Sequence, residues 1–322
     1  MSRMENIRFR MQEYTYRLMK KVGLKKDRPF LDSGDSVEKT FYGTPVVSGL
    51  RGNSIILEYL MKDKPCMVAR IGTIEMGTLQ AYIDKKVGVI PEIGARRIGL
   101  LCNNAGFFPA EEKAVEQFGE EYIHALKRVD LFGVFGSHAE DYVAHKYASS
   151  AKLMQISALG PYYFDMPWSS ALKGKKVLVI HPFDESIKQQ YSHRKDLFDD
   201  SNVLPEFTLI TLRAVQTIGT NTEGFESWFD ALNYMKQKIS EIDFDIAIIG
   251  CGAYGLPLAA YVKEIGKKSV LMAGATQLLF GIKGARWDNA PITSKYYRDS
   301  WIRPGDAEKP KNADSVEGGC YW

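Results

Sequence analysis

The sequence predicts an α/β fold in which helices cover both faces of a mostly parallel sheet. Two observations carry this. Short apolar runs of strand character recur along the chain: CMVARI, DLFGVF, KKVLVIHPF, FTLITLR, DIAIIG and SVLMAGA. Stretches with apolar residues at helical spacing fall between them, and that alternation is the pattern of parallel strands joined by crossover helices.

The first 28 residues stand apart. They carry nine Lys/Arg against Glu5, Glu13 and Asp27, a balance of +6. Ile7, Met11, Tyr14, Leu18 and Val22 recur at helical spacing, so the segment predicts a basic amphipathic helix. Such a helix docks on the body or a partner, or lies on an anionic membrane surface. Residues 29–49, rich in turn formers through PFLDSGDSVEKTFYGTP, read as a linker. One α/β domain is expected over 50–322.

Within it SIILEYLMK predicts a helix, CMVARI a buried strand and IEMGTLQAYI a helix. AEEKAVEQFGEEYIHALKRV predicts a long amphipathic helix with Pro109 just before it and acids in its first turn. DLFGVF and KKVLVIHPF are strands, and DESIKQQYSHRKDLF is helical, with Asp184 or Ser186 as its cap. FTLITLR, ESWFDALNYMKQKISE, DIAIIG, LPLAAYVKEIG and SVLMAGA follow as strand, helix, strand, helix and strand. The tail from Arg303 is polar and irregular, and its terminal Tyr321-Trp322 pair is expected to pack back on the body.

Composition narrows the function classes. The chain has 322 residues and a net charge of +3, too small to argue for nucleic acid. Cys66, Cys102, Cys251 and Cys320 are far apart with no C-x-x-C pair, which suggests a reducing compartment and no structural zinc. No apolar run approaches the roughly 20 residues needed to cross a bilayer. These readings predict a cytoplasmic protein, one able to sit peripherally at the inner face of a membrane. Its oligomeric state is open, a homo-oligomer included.

Several stretches could carry chemistry. GCGAYG, residues 250–255, has the G-x-G-x-x-G spacing between a strand and a helix. Its glycines would let backbone approach phosphates at a helix N-terminus. A dinucleotide site also needs an acid about 20 residues on. Here that place reads VLMAGA, so no NAD is expected. The turn serves a mononucleotide or nucleotide sugar, or only close helix–strand packing. ATQLLFGIKGARWD, 275–288, follows the next strand and sets Gln277, Lys283, Arg286 and Trp287 among the flexible glycines Gly281 and Gly284. Cations there would stabilise a diphosphate and Trp287 would stack on a base or sugar, or the stretch is a surface loop.

HPFDESIKQQYSHR places His181 at a strand end, as general acid/base, phosphate donor or structural group, with Gln190 and Arg194 as further contacts. MVARIGTIEMGTL places Arg70, Gly72, Thr73 and Glu75 at a strand-to-helix turn. Thr73 would cap the helix there, and Glu75 would serve as base or metal ligand or simply favour the helix start. CNNAGFFP, with Asn104, and the aromatic ALGPYYFDMPWSS are candidate pocket walls. His138 and His145 lack the i, i+4 spacing of a helical zinc pair.

In this order, ARIGTIE, NNAGFFP, HPF, DFDIAIIGCGAYGLPLAA, GATQLLFGIKGARW, RPGDAEKPKNA and EGGCYW resemble the GT-D-fold glycosyltransferases of bacterial exopolysaccharide and surface-glycan gene sets. The resemblance covers about 50–322 and leaves the N-terminal helix aside. It implies a Rossmann-like domain that transfers a hexosyl-type sugar from a nucleotide-diphosphate donor, a UDP-sugar above all, to a glycan or lipid-linked glycan. The residues place the expected donor site over Arg70, Gly72, Thr73, Gly250, Gly252, Tyr254, Gly255, Gln277, Lys283, Arg286 and Trp287, with Glu75 and His181 as the candidate catalytic groups and Glu75 preferred as the base for the acceptor hydroxyl. The family's Asp-x-Glu motif, used with a divalent metal, falls on Thr73-Ile74-Glu75. Thr73 stands where the family has Asp, so one carboxylate remains for Mn2+ or Mg2+. Cations and backbone N–H groups would then bear more of the leaving-group charge. Two other classes share these features: an NAD(P)-dependent nucleotide-sugar oxidoreductase, and a non-catalytic assembly partner that binds nucleotide or glycan.

Overall fold

The structure is a computed structural model and describes residues 3–24, 37–40, 43–136, 138–316 and 318–322. The chain begins with α1 (Arg3–Lys21) and the short strands β1 (Val37–Lys39) and β2 (Pro45–Val47). Next come α2 (Gly49–Met61), β3 (Cys66–Ala69), α3 (Thr73–Lys86), α4 (Ala95–Ala105), α5 (Glu112–Leu126) and β4 (Leu131–Val134). Then α6 (His138–Tyr147) and β5 (Lys152–Gln155) lead through three 3-10 turns to β6 (Lys176–His181) and α7 (Asp184–Ser192). The remainder is β7 (Thr208–Arg213), α8 (Trp228–Ser240), β8 (Ile246–Ile249), α9 (Gly255–Glu264), β9 (Lys268–Leu271) and α10 (Thr276–Leu279), followed by the short helices α11 (Ala285–Asp288) and α12 (Pro291–Ser294).

The strands form one sheet in the order β1-β2-β5-β4-β3-β9-β8-β6-β7. Every pairing is parallel except that of β1 with β2 at the edge. The expected Rossmann-like α/β architecture is therefore present. The eight parallel strands all end at one edge, where ligands of open α/β sheets bind.

Successive strand residues point to opposite faces. Met67, Ala69, Leu178, Ile180, Ala247 and Ile249 join one core with α3, α4, α5, α6, α8 and α9. Cys66, Val68, Val177, Val179, Ile246 and Ile248 join the other with α2, α7, α10 and the turns of 156–172. Double burial is why these strands appear in the sequence as unbroken apolar runs.

Three expectations change. Pro45–Val47, placed in the linker, pairs in parallel with β5, and Ser48 caps α2 by accepting the Arg51 N–H. Residues 29–36, 41 and 42 of that linker lie outside the described residues. The helix expected over 184–198 ends at Ser192 and gives way to a 3-10 turn. Its cap comes from neither Asp184 nor Ser186. The Glu308 carboxylate, far along the chain, accepts the Glu185 and Ser186 N–H groups at 3.0 and 3.2 Å.

α1 forms as expected but docks by another face. Asn6, Phe9 and Glu13 are buried. Asn6 donates to the Asp84 carboxylate at 2.7 Å, Arg10 ion-pairs with it at 2.7 Å, and Phe9 stacks on Tyr142. Met11, Tyr14, Leu18 and Val22 are exposed. Residues 25–28 of the expected helix lie outside the described residues.

Gly119 shows how tightly the helices meet. It lies in α5, where replacing glycine by alanine in an open helix gains about 1 kcal/mol. Here an added Cβ would sit 2.3 Å from the Tyr82 ring, and Tyr82 is itself buried. Overpacking of that kind costs about 1–3 kcal/mol and reverses the sign. Gly119→Ala should lower the urea midpoint of unfolding. A midpoint at or above that of the parent chain would show that α3 and α5 separate freely.

Candidate functional site

β3 and β9 are neighbours, with Cys66, Met67 and Val68 opposite Lys268, Ser269 and Val270. From their carboxyl ends the chain leaves in opposite directions. α3 packs into one core and α10 into the other. That divergence opens a crevice. A cavity of about 620 Å3 occupies it, walled by the residues that follow β3, β4, β5, β6, β7, β8 and β9.

At the β3 end, Arg70, Gly72, Thr73 and Glu75 all line the cavity. The cap of α3 is Gly72, not Thr73, and Thr73 begins the helix. A Cβ on Gly72 would lie 2.0 Å from the Glu75 carboxylate, so the glycine admits the carboxylate folded back over the helix start. The Arg70 guanidinium stands 5.1 Å over the Phe135 ring. Glu140 fixes that ring's loop by accepting the Phe135 N–H at 2.9 Å and the Gly136 N–H at 2.7 Å. Beneath lies Tyr122, wholly buried, donating to the Ala253 carbonyl at 2.7 Å. Burial pushes its phenol well above the ordinary range, and the Glu75 charge adds to the shift. Phe135 and Tyr122 had no signal in the sequence, because their roles come from neighbours far along the chain.

The glycines of GCGAYG divide their work. A Cβ on Gly250 would strike Thr276 Oγ1, the Ala273 carbonyl and the His181 ring at 2.5, 2.6 and 2.7 Å. Gly255 meets Leu271 at 2.5 Å and is not part of the cavity wall. Both serve close packing. Gly252 has φ +57, only the Ala105 carbonyl near where a Cβ would stand, and a place on the wall, which Gly250 shares. Of the three glycines it is the exposed one, where backbone stands open to a ligand. Tyr254 also lines the cavity, stacked on Trp228 at 5.0 Å. Thr217 donates to the Gly106 carbonyl, so the Tyr254 hydroxyl donates to Thr217 Oγ1 at 2.9 Å.

His181 lines the cavity and is almost fully buried. Its Nδ1 accepts the Phe183 N–H at 3.0 Å, which leaves the ring hydrogen on Nε2. Burial depresses its pKa from 6.5 to about 3. The ring is therefore a neutral donor at physiological pH, and a role as proton acceptor is set aside.

Of the residues after β9, Gln277, Arg286 and Trp287 line the cavity. The Gln277 amide donates to the carbonyls of Lys283 and Tyr321 at 3.0 and 3.2 Å, while its buried Oε1 has no hydrogen-bond partner among the described residues. Arg286 stands 4.7 Å over the Tyr321 ring. Tyr321 and Trp322 pack back on the body as expected and complete this wall. The aromatic stretch 158–170 contributes Leu159, Gly160, Tyr162 and Tyr163, and the 102–109 stretch contributes Asn104 and Ala105. Val215–Ile218, the loop after β7, was not foreseen.

Besides Gly255, three expected residues lie elsewhere. The Lys283 ammonium stands over the Tyr297 ring at 5.5 Å, away from the cavity wall. Gln190 donates to the Gly281 and Ser300 carbonyls at 2.9 and 3.0 Å and ties α7 to the tail. Arg194 ion-pairs with Glu206 at 2.9 Å and covers Tyr191. Each spends its donors on structure.

Glu75 is the single carboxylate on the described wall. Among the described residues no group of three or more His, Cys, Asp or Glu could hold a metal ion. One carboxylate falls short of a protein cage for Mn2+ or Mg2+, so no step is derived through a metal. The four cysteines are buried free thiols. Among the described residues no helix is long and apolar enough to cross a membrane.

No family model, no curated protein and no solved structure matches this chain. Fold and site together define a Rossmann-like α/β protein with a mostly apolar and aromatic cavity, carrying a few polar and charged groups, at the carboxyl edge of its sheet.

The state of His181 is measurable. Its ring resonances should stay flat between pH 5 and 8, where an exposed histidine titrates. Below about 6.5 the unfolded chain takes up a proton that the folded ring declines until about 3, so this residue removes stability as pH falls through that window. A midpoint near 6.5 in the folded protein would mean that the ring is open to water.

Proposed function

We propose that the protein is a glycosyltransferase acting from a nucleotide-diphosphate sugar, in bacterial polysaccharide or surface-glycan assembly. The observation that carries this is the make-up of one cavity wall. Arg70 and Arg286, the aromatic face of Trp287 and the open backbone at Gly252 share it with one carboxylate, Glu75. The resemblance in the stretches ARIGTIE and GATQLLFGIKGARW supports the same reading.

Sugar transfer breaks the bond between the anomeric carbon and the diphosphate oxygen and forms one to the acceptor oxygen. Negative charge grows on the leaving phosphate. Two guanidinium groups and backbone N–H groups on the cavity wall oppose it. The acceptor hydroxyl loses a proton, and Glu75 is the wall group able to take it. His181, neutral with its hydrogen on Nε2, donates to a ligand oxygen. Trp287 offers a stacking face to base or sugar.

A thermal-shift screen of nucleoside diphosphates and their sugars, with and without manganese, tests the ligand class. UDP or another nucleoside diphosphate should raise the melting temperature. Arg70→Ala or Arg286→Ala should weaken that binding about tenfold or more. Glu75→Gln should keep the nucleotide shift and lose sugar transfer. No shift with any nucleotide would defeat the proposal, and full turnover by Glu75→Gln would take that residue out of the mechanism.

A further inference from the structure

We infer that α1 lays the protein on an anionic membrane surface through an apolar face turned away from the body. The inference is independent of what the cavity binds.

The helix has two opposed faces. Asn6, Phe9 and Glu13, at i, i+3 and i+7, face inward. The Asp84 carboxylate takes Asn6 and Arg10 on that side, Gln80 donates to Glu13, and Phe9 stacks on Tyr142 at 4.5 Å. About half a turn away Met4, Met11, Tyr14, Leu18 and Val22 form a continuous stripe, each more than half exposed. Ile7 joins it, and the stripe borders an apolar notch of about 330 Å3 closed on its far side by Val89. Docking has therefore used a mixed face, Phe9 between polar residues, and left the more apolar one outward, the reverse of the usual arrangement for a helix on a globular body.

Charge selects the occupant. The segment's sequence carries nine cations against three acids. Glu13 is turned inward beside Arg10, and Glu5 ion-pairs with Lys146 of α6. Arg3, Arg8 and Lys21 are exposed, with Arg3 and Lys21 on one shoulder of the stripe and Arg8 on the other. An apolar stripe with cationic shoulders matches the boundary of an anionic bilayer, where side chains enter the acyl region and cations meet headgroups. A second copy of this chain would bring like-charged shoulders together around the same stripe, which disfavours self-pairing there.

The test is sedimentation of the full chain with vesicles of phosphatidylcholine alone or with one third phosphatidylglycerol, at low and high salt. Binding should appear on the anionic vesicles, fall steeply with salt, and weaken at least tenfold in Met11→Asp/Leu18→Asp. Both positions are exposed, so the melting temperature of that variant should be unchanged. Arg3→Glu/Arg8→Glu should weaken binding while leaving the stripe intact, which separates the charge contribution from the apolar one. Three results would each overturn the inference: no binding to anionic vesicles at low salt, equal binding by the stripe variant, or a concentration-dependent dimer that the stripe variant abolishes.

Discussion

The parallel pairing of β3 with β9 is the contact on which the site depends. β3 comes early in the chain and β9 late, and their register sets Val68 opposite Val270. Pairing them brings the turn Arg70–Glu75 beside Met272–Gly274 at one edge. Because α3 and α10 then leave to opposite faces, nothing from either connection fills the gap between them. The cavity follows from topology, before any side chain is chosen. The side chains decide what enters it.

Legibility in the sequence tracked burial. β3, β6 and β8 were readable because both faces are covered, which writes an unbroken apolar run into the chain. β2 and β5 were missed for the opposite reason. β2 has three residues, and β5 has only Leu153 and Met154 apolar between Lys152 and Gln155, so neither shows an apolar run long enough to read. The turns of 156–172 have no regular period at all, yet they place Trp168 and Leu172 in the core. For α1 the periodicity located the helix but not its docked face. A hydrophobic stripe says where apolar side chains gather, and Asp84 shows why another face could win: a buried carboxylate needs partners, and Asn6 and Arg10 supply them.

The site was legible in its anchors and illegible in its discards. Arg70, Glu75, His181 and Gln277 reached the cavity because each sits within a turn or two of a strand's carboxyl end, and topology carries such positions to one edge, whereas Arg286 and Trp287 return to it on α11, well beyond the end of β9. Lys283, Gln190 and Arg194 have the same chemistry and lie closer to a strand end than Arg286 and Trp287 do. Their donors are taken by Tyr297, by the Gly281 and Ser300 carbonyls, and by Glu206. Those partners are distant in sequence, so no local reading could subtract them. His181 kept its place and changed its chemistry, since full burial removes the proton that would have made it an acid near neutral pH.

The glycines of GATQLLFGIKGARW turn on the same distinction between motion and packing. Read alone they suggest a flexible loop. In the fold a Cβ on Gly274 would lie 2.7 Å from the Tyr321 ring, and one on Gly284 would lie 2.8 Å from Trp287 and 2.9 Å from the Gln277 amide. The residues are small because aromatic rings and one amide press against them. Gln277 is the centre of this wall: its single NH2 group holds the 283 loop and the tail at Tyr321 together. Fixing that amide leaves Oε1 buried without a partner among the described residues, a cost of about 1–3 kcal/mol for an unsatisfied polar atom. Trp322 Nε1, in the same wall, is likewise buried without one. Neither atom reaches the cavity surface, so both costs fall on the packing that joins the 283 loop to the tail, and the hydrogen bonds of the Gln277 NH2 group offset them in part.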